Sequence, residues 1–191
     1  QGVSSAASDV YKRQVRTIKE GLATNKITKV YGILNGTCNY ILSQMEKTKD
    51  SFKNVLKNAQ KLGYAEPGNP KLDLNGYDAL AKVKILSALA FNCKISKSLS
   101  LMEGIEKIEA TDFDIVEKLN LRIKLLGITE IINNKIFERV HPCLVSRDSY
   151  IGNVTDVMNA VILEGKPVGE SVMQGEGCLL YTSPSPRDLS T

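Results

Sequence analysis

The sequence predicts an α+β domain, with helices packed on one face of a mixed or antiparallel sheet, and three observations carry that expectation. Apolar residues at helical spacing dominate the first half of the chain, and β-rich runs dominate the second. Two of the late runs, 122–132 and 136–145, are joined by Asn133-Asn134-Lys135, and Asn tolerates the positive φ of a tight hairpin. Two more, 161–164 and 168–174, meet across Gly165-Lys166-Pro167 as a second hairpin.

The elements follow in order. Val15, Ile18 and Leu22 share one helical face, with Gly21 and Asn25 marking its exit. Residues 27–34, with Val30, Tyr31, Ile33 and Leu34, read as a buried strand that ends in Asn35-Gly36-Thr37. Tyr40, Ile41, Gln44 and Met45 begin an amphipathic helix. Asp50 and Ser51 can cap the next one, whose apolar face is Phe52, Val55, Leu56 and Ala59 and whose stop is Gly63. After the loop Glu66-Pro67-Gly68-Asn69-Pro70, the most apolar helix is expected over about 74–91, capped by Asp73. Residues 101–108 could hold a short strand, and Thr111 or Asp112 can cap a helix through Leu119. Residues 150–160 read as helix or loop.

The composition limits the function classes. The chain has 191 residues, enough for one compact domain, with 42% apolar and 24% charged residues, the mix of a soluble protein. It contains no long apolar run that would span a membrane and no secretory signal pattern. A net charge of +4, no Trp and no dense Lys/Arg block argue against a nucleic-acid partner. Cys38, Cys93, Cys143 and Cys178 are too far apart for a zinc site or a redox dithiol. Reduced, mostly buried thiols and a cytoplasmic location are expected. The single histidine, His141, cannot form a metal site alone and is expected to be structural, on a strand; no metal ligands are assigned. Residues 1–14 and 178–191 have no apolar period and resemble translated adapter or vector sequence. They are expected to be disordered, non-native flanks around a native domain, 15–177, that is truncated at both ends.

Chemistry concentrates between Glu66 and Lys82. On the expected helix the polar residues are few, namely Asn75, Asp78, Lys82, Lys84 and Ser87, so most of its sides should be buried. At about 100° per residue, Asn75, Asp78 and Lys82 fall within roughly 60° of one another. An i,i+4 Asp–Lys bridge is usually structural and contributes about 0.3–0.5 kcal/mol. On a mostly buried helix, however, an amine needs a partner and readily becomes a proton donor near neutral pH. Glu66, held by Pro67 and Pro70, adds a further carboxylate. Two carboxylates and one amine near a helix start could bind an amino acid and protonate it.

The pattern Ala59-x-x-x-Gly63-Tyr64-Ala65-x-x-x-Asn69-Pro70-x-x-Asp73-Leu74-x-Gly76-x-Asp78-x-x-x-Lys82 resembles the signature of homoserine dehydrogenases at every defined position. The resemblance extends upstream through Ile18-Lys19-Glu20-Gly21-Leu22 and residues 31–41. Downstream it includes Asn153-Val154, Met158-Asn159-Ala160-Val161 and Gly175-Glu176-Gly177, so that it covers roughly 15–177.

The resemblance implies NAD(P)H-dependent, reversible reduction of L-aspartate 4-semialdehyde to L-homoserine, in the biosynthesis of threonine, methionine and isoleucine. It gives Lys82 the role of general acid with Asp78 beside it, and substrate binding to Glu66, Asp78 and Asp73. Cofactor contacts fall on Gly63, Gly36, Thr37, Gly175 and Gly177. It also implies a homodimer and, in the full-length enzyme, a monovalent cation. The sequence has no G-x-G-x-x-G unit. In the family the Rossmann domain precedes residue 15, so this chain is expected to be inactive alone. Two other classes remain: a non-catalytic binding or dimerisation module of the same fold, and a phosphorylating aldehyde dehydrogenase with Cys38 as nucleophile, which would require a His partner.

Overall fold

The computed structural model describes residues 26–68, 70–97, 100–167 and 169–176; the expected helix over 15–22 and both flanks lie outside the described residues. The order is β1 (Lys26–Ile33), α1 (Gly36–Thr48), α2 (Phe52–Lys61), α3 (Lys71–Leu74), α4 (Tyr77–Ala90), β2 (Leu101–Met102), α5 (Ala110–Lys118), β3 (Leu121–Ile132), β4 (Lys135–Ser146), a 3-10 turn (Ile151–Asn153), β5 (Met158–Lys166) and β6 (Gly169–Glu176). The six strands form one sheet in the order β2-β4-β3-β1-β5-β6. Every pairing is antiparallel except the short β2–β4 contact. The expected α+β class therefore holds.

Two apolar clusters sit on opposite faces of the sheet, because successive strand residues point to opposite sides. On one face Val30, Ile123, Leu125, Val161 and Leu163 pack against Ile41 and Met45 of α1, Val83 and Leu86 of α4 and Phe113 of α5. On the other, Ile33, Leu126, Ile128, Ala160 and Ile162 are joined by Ile151 and Val154 from the segment around the 3-10 turn. β1 contributes to both clusters, as do β3 and β5 on either side of it.

The β3–β4 hairpin forms as the sequence predicts. Ile132 pairs with Lys135, and Asn133 and Asn134 both take positive φ (51° and 60°), so the loop has two residues and Lys135 belongs to the strand. β5 and β6 form the second hairpin, with Gly165 opposite Gly169. Ser51 caps α2 as expected, accepting the Asn54 N–H. α1 begins at Gly36, four residues before Tyr40, because the Asn35 side chain accepts the Cys38 N–H at 2.8 Å and starts the helix there. The short strand expected within 101–108 is β2, at Leu101–Met102. The N-cap of α5 is Glu109, not Thr111 or Asp112; the Asp112 carboxylate instead accepts the Glu109 N–H at 2.9 Å. Residues 150–160 split into the 3-10 turn and the start of β5.

The helix expected over 74–91 requires the largest correction. It is broken into α3 and α4 at Gly76, whose φ of 85° belongs to the left-handed region. The break is held from outside, since the Leu74 carbonyl accepts the Ile105 N–H at 3.0 Å. A Cβ on Gly104 would collide with that same carbonyl, so the close approach requires glycine. Asp73 consequently lies inside α3 and does not cap the long helix. Nor is α4 buried on most sides: Ala79, Val83, Leu86 and Ser87 face the core, while Tyr77 and Ile85 are exposed.

Candidate active site

Because α4 starts at Tyr77, Asp78 and Lys82 occupy consecutive turns on the flank beside the end of β1. Lys82 Nζ donates to Asp78 Oδ2 at 2.7 Å and to the Leu34 carbonyl at 3.0 Å. Two of its three ammonium hydrogens are thereby committed among the described residues. The Lys82 side chain is 16% exposed and that of Asp78 34%, so the pair sits at a rim open to a ligand.

Asp73 joins the pair through Asn35. The Asn35 Nδ2 donates to Asp73 Oδ1 at 2.9 Å and to Asp78 Oδ2 at 3.1 Å. Burial pushes the Asp73 carboxyl above the usual aspartate range, and the Asn35 hydrogen bond opposes that rise. The charges of Asp78 and Glu66 add to the rise, whereas Lys82 works against it. Asp73, Asp78 and Lys82 are therefore one electrostatic unit. Glu66 is exposed on the loop before α3; its backbone carbonyl accepts Gln60 Nε2 at 3.1 Å. Asn75, which helical spacing would put on the same stripe, ends α3 and is separated from it by the break at Gly76.

The residues expected to contact a cofactor fall into two groups. Gly36 and Thr37 form the first turn of α1, which contains no acidic residue, and the Thr37 hydroxyl donates to the Tyr64 carbonyl at 2.9 Å. That bond brings Gly63 (φ 79°) and the end of α2 beside the start of α1. Gly175 lies on β6 opposite Asn159, and continuing the β1–β5 register places Leu34 on the other side of Asn159. Gly177 lies outside the described residues. A nucleophilic Cys38 is not supported. Its thiol is fully buried, donates to the Asp73 carbonyl at 3.3 Å, and is held well above the ordinary thiol range by burial and the neighbouring acids. The free thiols differ in burial more than expected, since Cys93 is exposed. His141 lies on β4, half-buried, with Nδ1 at 2.9 Å from the Pro142 carbonyl.

Three polar residues were given no role in the site by the sequence reading. Asn35 has just been described. Lys124, on β3, is 1% exposed and donates to Asn39 Oδ1 at 3.1 Å and to the Val154 carbonyl. Asn159 is 6% exposed, and its Oδ1 is the one buried side-chain oxygen without a partner among the described residues. Lys124 alternates with Arg122 between apolar residues, a pattern that reads as a solvent-facing strand side, so no local signal marks its burial. No local signal distinguishes Asn35 from any other turn asparagine.

Comparison with known proteins places the chain among relatives. The family model for homoserine dehydrogenase matches residues 14–179. Over 163 residues the chain is 44% identical to the homoserine dehydrogenase of Neisseria gonorrhoeae and 45% identical to that of Helicobacter pylori. These alignments cover 85% of this chain but 37% and 38% of those proteins. Among solved structures, a homoserine dehydrogenase from Thiobacillus denitrificans superposes with a TM-score of 0.83 at 43% identity, covering 86% of this chain and 38% of that one. A putative homoserine dehydrogenase from Archaeoglobus fulgidus gives 0.78 at 33% identity, covering 86% and 49%. The chain thus spans well under half the length of the curated relatives it matches, and it belongs to the homoserine dehydrogenase family.

Proposed function

We propose that this chain is the substrate-holding, proton-donating part of an NAD(P)H-dependent homoserine dehydrogenase that interconverts L-aspartate 4-semialdehyde and L-homoserine. The observation that carries the reading is the tethering of Lys82. With two hydrogens held by Asp78 Oδ2 and Leu34 O, the third has a fixed direction from a rim residue. An ammonium so placed stabilises the negative charge that develops on an aldehyde oxygen and then delivers the proton. Asp78 balances the ammonium when no substrate is bound. In the reverse direction a neutral Lys82 accepts the hydroxyl proton of homoserine. Glu66, exposed and with no side-chain hydrogen bond among the described residues, is the acid available for the substrate's α-ammonium, with Asp73 beside it.

The described residues would meet a nicotinamide group with backbone only, at Gly36, Thr37, Gly63 and Gly175. They contain no dinucleotide cradle of the G-x-G-x-x-G type, so the cofactor is assigned mainly to a further domain. When bound, the cofactor supplies the hydride. By the same reading the chain alone is inactive, a monovalent cation belongs to the full-length enzyme, and the enzyme is a cytoplasmic homodimer. Among the described residues no helix is long and apolar enough to cross a membrane. Joined to a nicotinamide-binding domain, the chain should oxidise NADPH in the presence of aspartate semialdehyde, and Lys82→Ala should lose kcat with KM largely kept. Turnover retained in Lys82→Ala would sink the general-acid role. Elution of the isolated chain as a clean monomer of about 21 kDa at micromolar concentration would count against the dimer.

A further inference from the structure

Three hydrogen bonds leave the Asn35 amide no rotational freedom. Its Oδ1 accepts the Cys38 N–H at 2.8 Å, which caps α1, while its Nδ2 donates to Asp73 Oδ1 at 2.9 Å and Asp78 Oδ2 at 3.1 Å. Two N–H groups thus meet two carboxylates, so the donor capacity of the amide is filled. Flipping the amide would set its oxygen against two carboxylate oxygens and its NH2 against a backbone N–H. The assignment of O and N is therefore fixed by the network. The residue is 6% exposed, so water does not substitute for these bonds.

The same three bonds tie together the start of α1, Asp73 in α3 and Asp78 in α4. Asp78 Oδ2 is also the oxygen that holds Lys82, so Asn35 and Lys82 converge on one atom. We propose that Asn35 is a positioning residue of the site, a neutral double donor that keeps Asp73 and Asp78 side by side as acceptors and thereby aims the Asp78–Lys82 pair at the ligand. Only the identity of that ligand, an amino-acid aldehyde or alcohol with a free α-ammonium, rests on the dehydrogenase reading. The groups facing Asp73 are Asp78 and Lys82 from α4, Glu66 from the preceding loop and the Cys38 thiol from α1. Burial and the two like charges all favour a protonated Asp73, whereas Asn35 and Lys82 favour the carboxylate. Without Asn35, Asp73 would take up a proton more readily and present a hydroxyl where an ammonium-binding site requires an acceptor.

Ser and Asp both serve as N-caps, so Asn35→Ser and Asn35→Asp preserve the start of α1 while removing the double donor. The test is a carboxyl-carbon NMR titration of Asp73 in the 191-residue chain, with thermal unfolding measured alongside. In Asn35→Ser the Asp73 midpoint should rise by about one pH unit, a tenfold tighter hold on the proton. In Asn35→Asp, which adds a third carboxylate, it should rise further. In the unsubstituted chain the Asn35 side-chain NH2 resonances should shift as Asp73 titrates, a readout that requires no variant to fold. Unchanged Asp73 midpoints in the variants, or Asn35 resonances blind to that titration, would reduce Asn35 to a helix cap. Neither measurement involves cofactor or turnover, so a failed dehydrogenase assay and a failed titration are distinguishable.

Discussion

Lys82 and Lys124 are both withdrawn from water, yet they are held in opposite ways. Lys82, on α4, is paired with a carboxylate and stands at a rim with 16% of its side chain exposed. Lys124, on β3, is 1% exposed and its bonded partners are neutral oxygens, Asn39 Oδ1 and the Val154 carbonyl. Burial lowers the Lys124 ammonium from 10.5 to about 8, with the Arg122 charge adding to that effect and Glu46 and Asp156 opposing it. A counter-ion and an open side make a lysine available for chemistry, whereas neutral ligands and full enclosure make it a clamp. Lys124 is such a clamp, joining α1 to the segment before β5: Asn39, which it holds, also donates to the carbonyls of Val154 and Met158.

Substitutions should separate the two roles. The largest effect is expected for Lys82→Met in a polypeptide that carries the nicotinamide-binding domain: kcat should fall by about 10²–10⁴-fold, the usual contribution of a general acid. Next, Lys124→Ala should destabilise the fold by about 2–4 kcal/mol, since it leaves a cavity and an unpaired Asn39 oxygen; urea denaturation measures this directly. The pH dependence of that stability follows from the lowered Lys124 value. The unfolded chain keeps the proton up to the ordinary 10.5, and the folded chain releases it near 8. Between those values the unfolded state binds more protons, so this group's contribution makes the fold more stable as pH rises from 8 to 10.5, by on the order of 3 kcal/mol. Denaturation at pH 7.5 and pH 10 should show that increment in the parent and not in Lys124→Met. Asp78→Asn should reduce kcat by roughly tenfold or more by removing the charge that orients Lys82, with a smaller loss of stability than Lys124→Ala. The smallest effect is the most telling: Lys82→Met should change unfolding free energy by no more than about 1 kcal/mol, as expected for a partly solvated ion pair. A loss as large as that of Lys124→Ala would erase the contrast.

Legibility in the sequence follows the range of the interactions. The Asn133-Asn134 hairpin, the Ser51 cap and the Asp78–Lys82 spacing were readable because each depends on residues within four positions. The continuity of the helix over 74–91 was misread because its break is enforced from a distance, by Ile105 bonding to Leu74 and Gly104 pressing on it. Reading Asp73 as a cap failed for the same reason. Lys124 passed unnoticed because alternation in a strand says which face a residue is on, not which oxygens from α1 and the segment before β5 meet it there.

By itself the sequence determined most of the elements, the hairpins and the acid–amine pair on one helix, since these follow from local periodicity, turn chemistry and residue spacing, while the family followed from the resemblance of its signature pattern. The tertiary structure decided the strand order β2-β4-β3-β1-β5-β6, the break at Gly76 and the convergence of Asn35, Asp73, Asp78 and Lys82. Those features rest on contacts far apart in sequence, such as Asn35 with Asp73, Lys82 with Leu34 and Ile105 with Leu74. Only burial of a shared core selects such contacts, because nothing in a local window makes one distant partner preferable to another.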